Sequence, residues 1–84
     1  MTIEQKKLLL EIAKFHVADF MLEMKDHWSS SDYEKSREYA DKIRSLEAEY
    51  NQLYGDLPEW EYIDDVIACR DNLKKELTEV IKNV

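Results

Sequence analysis

From Ile3 onward the apolar positions crowd together: Ile3, Leu8, Leu9, Leu10, Ile12, Ala13, Phe15, Val17, Ala18, Phe20, Met21, Leu22 and Met24. They fall on two helical stripes. One is Ile3, Leu10, Ala13, Val17, Phe20/Met21 and Met24; the other is Leu8, Ile12, Phe15 and Leu22, broken by Asp19. A surface helix shows one apolar stripe, so this helix is expected to be covered from two sides. Either two helices of the same chain flank it, or a second copy lies across Leu8, Ile12, Phe15 and Leu22. Thr2-Ile-Glu-Gln5 has the form of a capping box, with the Thr2 hydroxyl on the Gln5 backbone and the Gln5 side chain reaching back. The helix is expected over about 3–27.

A second helix is expected over about 32–54. Ser31-Asp-Tyr-Glu34 repeats the capping-box pattern, and Tyr39, Ile43, Leu46, Tyr50 and Leu53 alternate steps of four and three along one seam. The tyrosines are expected at the wet edge of that seam. Gly55, the only glycine, suits a helix end. Pro58, the only proline, suits the first turn of a third helix capped by Asp56 or Leu57 and running over about 58–83. Its apolar positions are Trp60, Ile63, Val66/Ile67, Leu73, Leu77, Val80/Ile81 and Val84, with Arg70 on the seam, expected to snorkel or to pair with an acid. Short corners force sequential helices to reverse. The pattern predicts an all-α fold: an antiparallel three-helix bundle, up-down-up, about 35–40 Å long at 1.5 Å per residue. It forms one helical domain over 1–84, as a monomer or as a dimer across the second stripe.

Composition narrows what such a rod does. Eighty-four residues with 44% hydrophobic content form one small core, and a core this size leaves a thin margin of stability. One cysteine, Cys69, permits no internal disulfide and fits a reducing, cytoplasmic setting. The start lacks a signal-peptide pattern, and no apolar run reaches the ~20 residues of a membrane span. The net charge is −7, and between Arg44 and Arg70 there is no base but seven acids: Glu47, Glu49, Asp56, Glu59, Glu61, Asp64 and Asp65. Direct nucleic-acid binding needs a basic footprint and is not expected. A protein partner with a basic surface is the electrostatic match.

Chemistry-bearing residues are sparse. His16, Asp19, Glu23 and His27 share the first helix, but metal sites in bundles draw ligands from several helices, and no histidine lies beyond His27. A partly buried His16 and a solvated His27 near a helix end are the plainer account, so neither a metal nor another cofactor is expected. Carboxylates near Cys69 raise a thiol pKa rather than activate it. A single glycine excludes Gly-rich phosphate loops, and a slim rod rarely encloses a dry pocket. An enzyme is not expected.

What remains is the second corner. Asp56, Glu59 and in part Glu61 are expected to serve the first turn of the third helix. Glu47 and Glu49 near the end of the second helix, and Asp64 and Asp65 beyond that first turn, have no such explanation. An up-down-up bundle gathers them at one end beside residues 1–8, where Lys6 and Lys7 would partly offset them. Tyr54 and Tyr62 then stand as exposed anchors. The expected function is that of a small acidic protein that occupies a basic groove, such as that of a nucleic-acid-binding enzyme. Phage inhibitors, anti-CRISPR proteins among them, often act so as nucleic-acid mimics; the likeness is one of size and charge, not of sequence. The alternative is a structural or assembly module that dimerises or docks through the first helix.

Overall fold

A computed structural model describes residues 1–82, with side chains described through Val80. It is all-helical: α1 (Ile3–Glu23), α2 (Ser30–Tyr54) and α3 (Ile63–Lys82). The expected seam positions Ile81, by its side chain, and Val84 lie outside the described residues, as does the expected end of the third helix at 83.

α1 starts as its sequence suggests, with the Gln5 N–H donating to Thr2 Oγ1 at 3.0 Å. The second half of the expected box does not form. Gln5 Nε2 donates instead to Tyr50 Oη at 3.0 Å. Tyr50 is only 2% exposed, not at a wet edge, and a buried phenol oxygen needs a partner that water cannot supply.

α1 ends at Glu23, about one turn before the expected 26–27. The Leu22 carbonyl, which a longer helix would give to Asp26, accepts from the Lys25 N–H at 3.1 Å and from the Trp28 indole at 3.0 Å. A side chain has replaced the next helical turn as partner for an orphan carbonyl. Trp28 then meets Tyr33 edge-on, with ring centres 5.1 Å apart. The cap of α2 is Ser29, not Ser31, in a reciprocal capping box with Asp32. Asp32 is the stronger choice because one carboxylate oxygen collects the Ser29 N–H at 2.9 Å, the Ser29 hydroxyl at 3.2 Å and Lys25 Nζ at 2.8 Å.

The seam of α2 drifts. Leu53 is 59% exposed, whereas Tyr54 packs on the core. A straight helix drifts about 20° per heptad from a strict seven-residue repeat, so two heptads after Tyr39 position 53 has turned about 40° off the seam and 54 has come nearer to it. Gly55 closes the helix at φ +92°, a conformation that L side chains rarely adopt.

The third helix departs most from expectation. It begins at Ile63, not at 58, and the eight residues 55–62 form an extended strap. A helix from Pro58 would set Glu61 one turn ahead of both Asp64 and Asp65, like charges at the spacings that destabilise. Leu57 and Trp60 instead pack on the core from the strap. Asp65 Oδ2 accepts the Tyr62 N–H at 3.1 Å, an N-terminal cap that Asp56 and Leu57 do not provide.

Two buried clusters hold the fold. Leu9, Leu10 and Ile12 meet Tyr50 of α2 and Leu73 of α3; Ala13 and Val17 meet Val66. α1 packs against both other helices. The double coverage expected of the first helix is therefore met within the chain. Contacts between α1 and α3 run in reversed order: Lys6 with Glu76, Leu9 with Leu73, Ala13 and Val17 with Val66, and Phe20 across a cleft from Ile63. An up-down-up order would place the start of α3 beside the start of α1, an order these contacts do not show. The strap is the cause. Eight residues reach about 26 Å, enough to match the roughly 22 Å that α1 rises from Gln5 to Phe20. The longest dimension is 44 Å.

Candidate functional site

The strap places the acids differently from the single acidic end that the corner suggested. Trp60, half-buried, is its pivot. Its indole lies edge-on to the His16 ring at 5.6 Å, and it packs against both core clusters. Glu59, Glu61 and Asp65 surround it on the outer side. On the other side a cleft of about 590 Å³ opens between the second half of α1 and residues 60–66. Phe20, Trp60, Ile63 and Val66 supply its apolar walls, and Asp19, Glu23, Glu61 and Asp64 its charge, with Tyr62 and His16 beside them. No Lys or Arg lines it.

Of the residues singled out in the sequence, Glu59, Glu61, Tyr62, Asp64 and Asp65 come together here. Tyr62 is 67% exposed, as an anchor would be. Glu47 approaches the same place from α2, with Oε2 at 3.5 Å from His16 Nε2. That contact is an ion pair only if the ring is protonated. Nε2 itself is shut from solvent and has no hydrogen-bond partner. Glu49, Tyr54 and Asp56 do not join the group. Tyr54 packs on Tyr50 with ring centres 5.3 Å apart, near the start of α1. Asp64 and Asp65 lie in the first turn of α3, not beyond it, so the helix dipole accounts for part of their placement. Asp56 and Glu59 lie outside the helix whose dipole they were expected to serve.

Asp19, Glu23, His16 and Phe20 were not placed in the binding surface by sequence. Their signal was present: His16, Asp19 and Glu23 recur at three and four residues on one face of α1, and Asp19 interrupts an apolar stripe. The reversed order of α3 is what turns that face into the wall of a cleft.

The expected docking face is largely consumed by the fold. Ile12 and Leu22 are buried, Leu8 and Phe15 half-buried, and Phe15 packs against Tyr39 at 6.0 Å. Lys6 pairs with Glu76 at 3.4 Å and lines the same hollow as Glu59 and Asp65, and Arg70 pairs with Asp71 at 3.1 Å. Among the described residues Asp19, Glu23, Glu61 and Asp64 form no ion pair.

A larger hollow, about 800 Å³, lies between Pro58–Glu59 and α3, with Lys6, Cys69 and Glu76 in its lining. Burial pushes the Cys69 thiol up from its ordinary value; the Trp60 indole opposes this and the Glu76 carboxylate adds to it. Such a thiol is poorly ionised and a weak nucleophile. Among the described residues no three His, Cys, Asp or Glu side chains stand close enough to hold a metal ion. No described helix is long and apolar enough to cross a membrane. No protein-family model, curated protein or solved structure matches this chain.

Proposed function

We propose that this protein is a small acidic, non-enzymatic binding protein that acts by occupying a basic surface on a protein partner. A nucleic-acid-binding enzyme, masked as a phage-type inhibitor or nucleic-acid mimic would mask it, fits that charge best. The observation that carries this is that Asp19, Glu23, Glu61 and Asp64 line one cleft with no Lys or Arg and form no ion pair among the described residues. Unpaired exposed carboxylates cost a small fold self-repulsion and repay it only when cations arrive. The helix directions belong to the same proposal: the reversed contact order supports α2 and α3 each lying antiparallel to α1, with the strap carrying the chain back between them.

The test is capture from the native host with immobilised protein, at low and high salt, beside the Glu59→Lys/Asp64→Lys variant. A partner retained at low salt, released at high salt and lost with the variant supports the role. Its nucleic-acid binding, measured after purification, should fall when this protein is added. A partner that ignores both salt and charge reversal would rule the charge mechanism out.

A structural or assembly role is the second reading, favoured by one observation. Met21 at the end of α1 and Met24 just beyond it are 63% and 66% exposed, an apolar surface the core does not use. A dimer or docked complex would use these two rather than Ile12 and Leu22, and light scattering distinguishes it from a monomer.

A further inference from the structure

The cleft between α1 and the strap has more than charge to offer a partner. Its walls are rings and aliphatic side chains, Phe20, Trp60, Ile63 and Val66, with the exposed Tyr62 at the mouth. Its carboxylates come from two directions: Asp19 and Glu23 from α1, Glu61 and Asp64 from the strap and the start of α3. The 800 Å³ hollow lacks this combination, because its charge includes Lys6, already held by Glu76.

We infer that the cleft is an anchor site for an arginine side chain on a basic, extended segment of a protein partner. Two properties select arginine over lysine. A guanidinium is planar, weakly hydrated and stacks on ring faces while its edge bonds carboxylates in pairs; an ammonium is a hydrated point charge. The cleft offers rings and carboxylates within one volume, which suits the first and gives little extra to the second. The same geometry disfavours a nucleic-acid occupant, whose phosphates the four acids would repel. It disfavours a second copy of this chain as well, since the surface is acidic and would meet itself. The anchor rests on the acidic binding role proposed above, and adds the chemical class of the residue that enters.

The experiment titrates the ¹⁵N-labelled protein with two short synthetic peptides of equal charge, one arginine-bearing and one with lysine at every such position, at low salt. The Trp60 indole signal reports on the cleft, whose wall it forms. The expected result is that the arginine peptide binds about three-fold tighter or more, as a cation–π contact at a partly exposed site implies. The Trp60 indole should shift. Tyr62→Ser, at an exposed position, and Phe20→Leu should bring the arginine peptide down to the lysine value without unfolding the chain. Equal affinity for both peptides, with shifts spread over the acidic surface, overturns the anchor and leaves the charge-based function standing. Absence of binding by either peptide at low salt overturns both.

Discussion

Ile12→Ala tests whether α1 is completed by its own chain. Ile12 has no exposed surface and lies in the cluster with Leu9, Leu10, Tyr50 and Leu73. The substitution removes three carbons, a transfer loss of about 2.4 kcal/mol at about 0.8 kcal/mol each. The cavity left between three helices adds to this, and the whole should come to about 3–4 kcal/mol. A fold of this length has on the order of 4–12 kcal/mol in total, so the variant should be folded but marginal. Urea unfolding followed by circular dichroism should show the midpoint falling by roughly 2–3 M with little change in slope. Leu53→Ala is the control. It sits on the same seven-residue pattern as Tyr39 and Leu46 but is 59% exposed, and its cost should stay within about 0.5 kcal/mol. The wild-type midpoint should not move with protein concentration. A loss below about 1 kcal/mol at Ile12, or a midpoint that rises with concentration, would show that a second chain and not α2 and α3 covers this stripe.

Three further outcomes follow from particular contacts. Asp32 is held at about 2, below the ordinary 3.8, first by the Lys25 ammonium and then by the Ser29 backbone. A carboxyl depressed in the folded state stabilises above its unfolded value, and that contribution is lost as pH falls through the folded one. Wild type should therefore lose stability between about pH 4 and pH 2 relative to Asp32→Asn, and parallel urea curves that never converge would refute the assignment. In a Cys69→Ser background, cysteines at Lys6 and Glu76 should be joined within one chain by a short bis-maleimide, while cysteines at Lys6 and Asp64 should not. The opposite pattern would restore the up-down-up order. Cys69 itself should react slowly with a thiol reagent in the native protein and fast in urea; rapid native labelling would show the thiol to be open and ionised.

The helices were legible because apolar spacing survives any tertiary arrangement, and α1 announced its double coverage through eleven apolar residues on two stripes. The ends were not, because each was settled by competition among local partners. Ser29 and Ser31 are both good caps, and Asp32 decided between them by collecting three donors. The second corner misled for a further reason. Gly55 and Pro58 read as a tight turn into a helix, but burial of Trp60 and Leu57 favours an extended strap. That strap reverses α3 relative to expectation, and with it the neighbours of every acid on α3. Glu61, Tyr62 and Asp64 were found because their charge and exposure are local properties. Asp19, Glu23 and Phe20 were missed because only the order of α3 against α1 brings them to the same place.

That order also alters which acids folding explains. With α3 beginning at Ile63, Asp65 caps the helix through the Tyr62 N–H and both Asp64 and Asp65 face the positive end of its dipole, a gain of about 0.3–1 kcal/mol each. Glu61 and Glu59 obtain nothing comparable: they precede the helix, lie exposed on the strap and have no ion pair among the described residues. Asp19 and Glu23 face them across the cleft from a helix whose last turn carries no base. A sequence selected for stability alone would place a lysine at one of these positions, where it would gain an ion pair at little cost. The protein instead keeps the cleft free of bases while using Lys6, Lys25 and Arg70 on acids elsewhere. Open charge beside the exposed Tyr62 ring and the half-buried Phe20 and Trp60 rings is the distribution expected of a surface completed by another molecule.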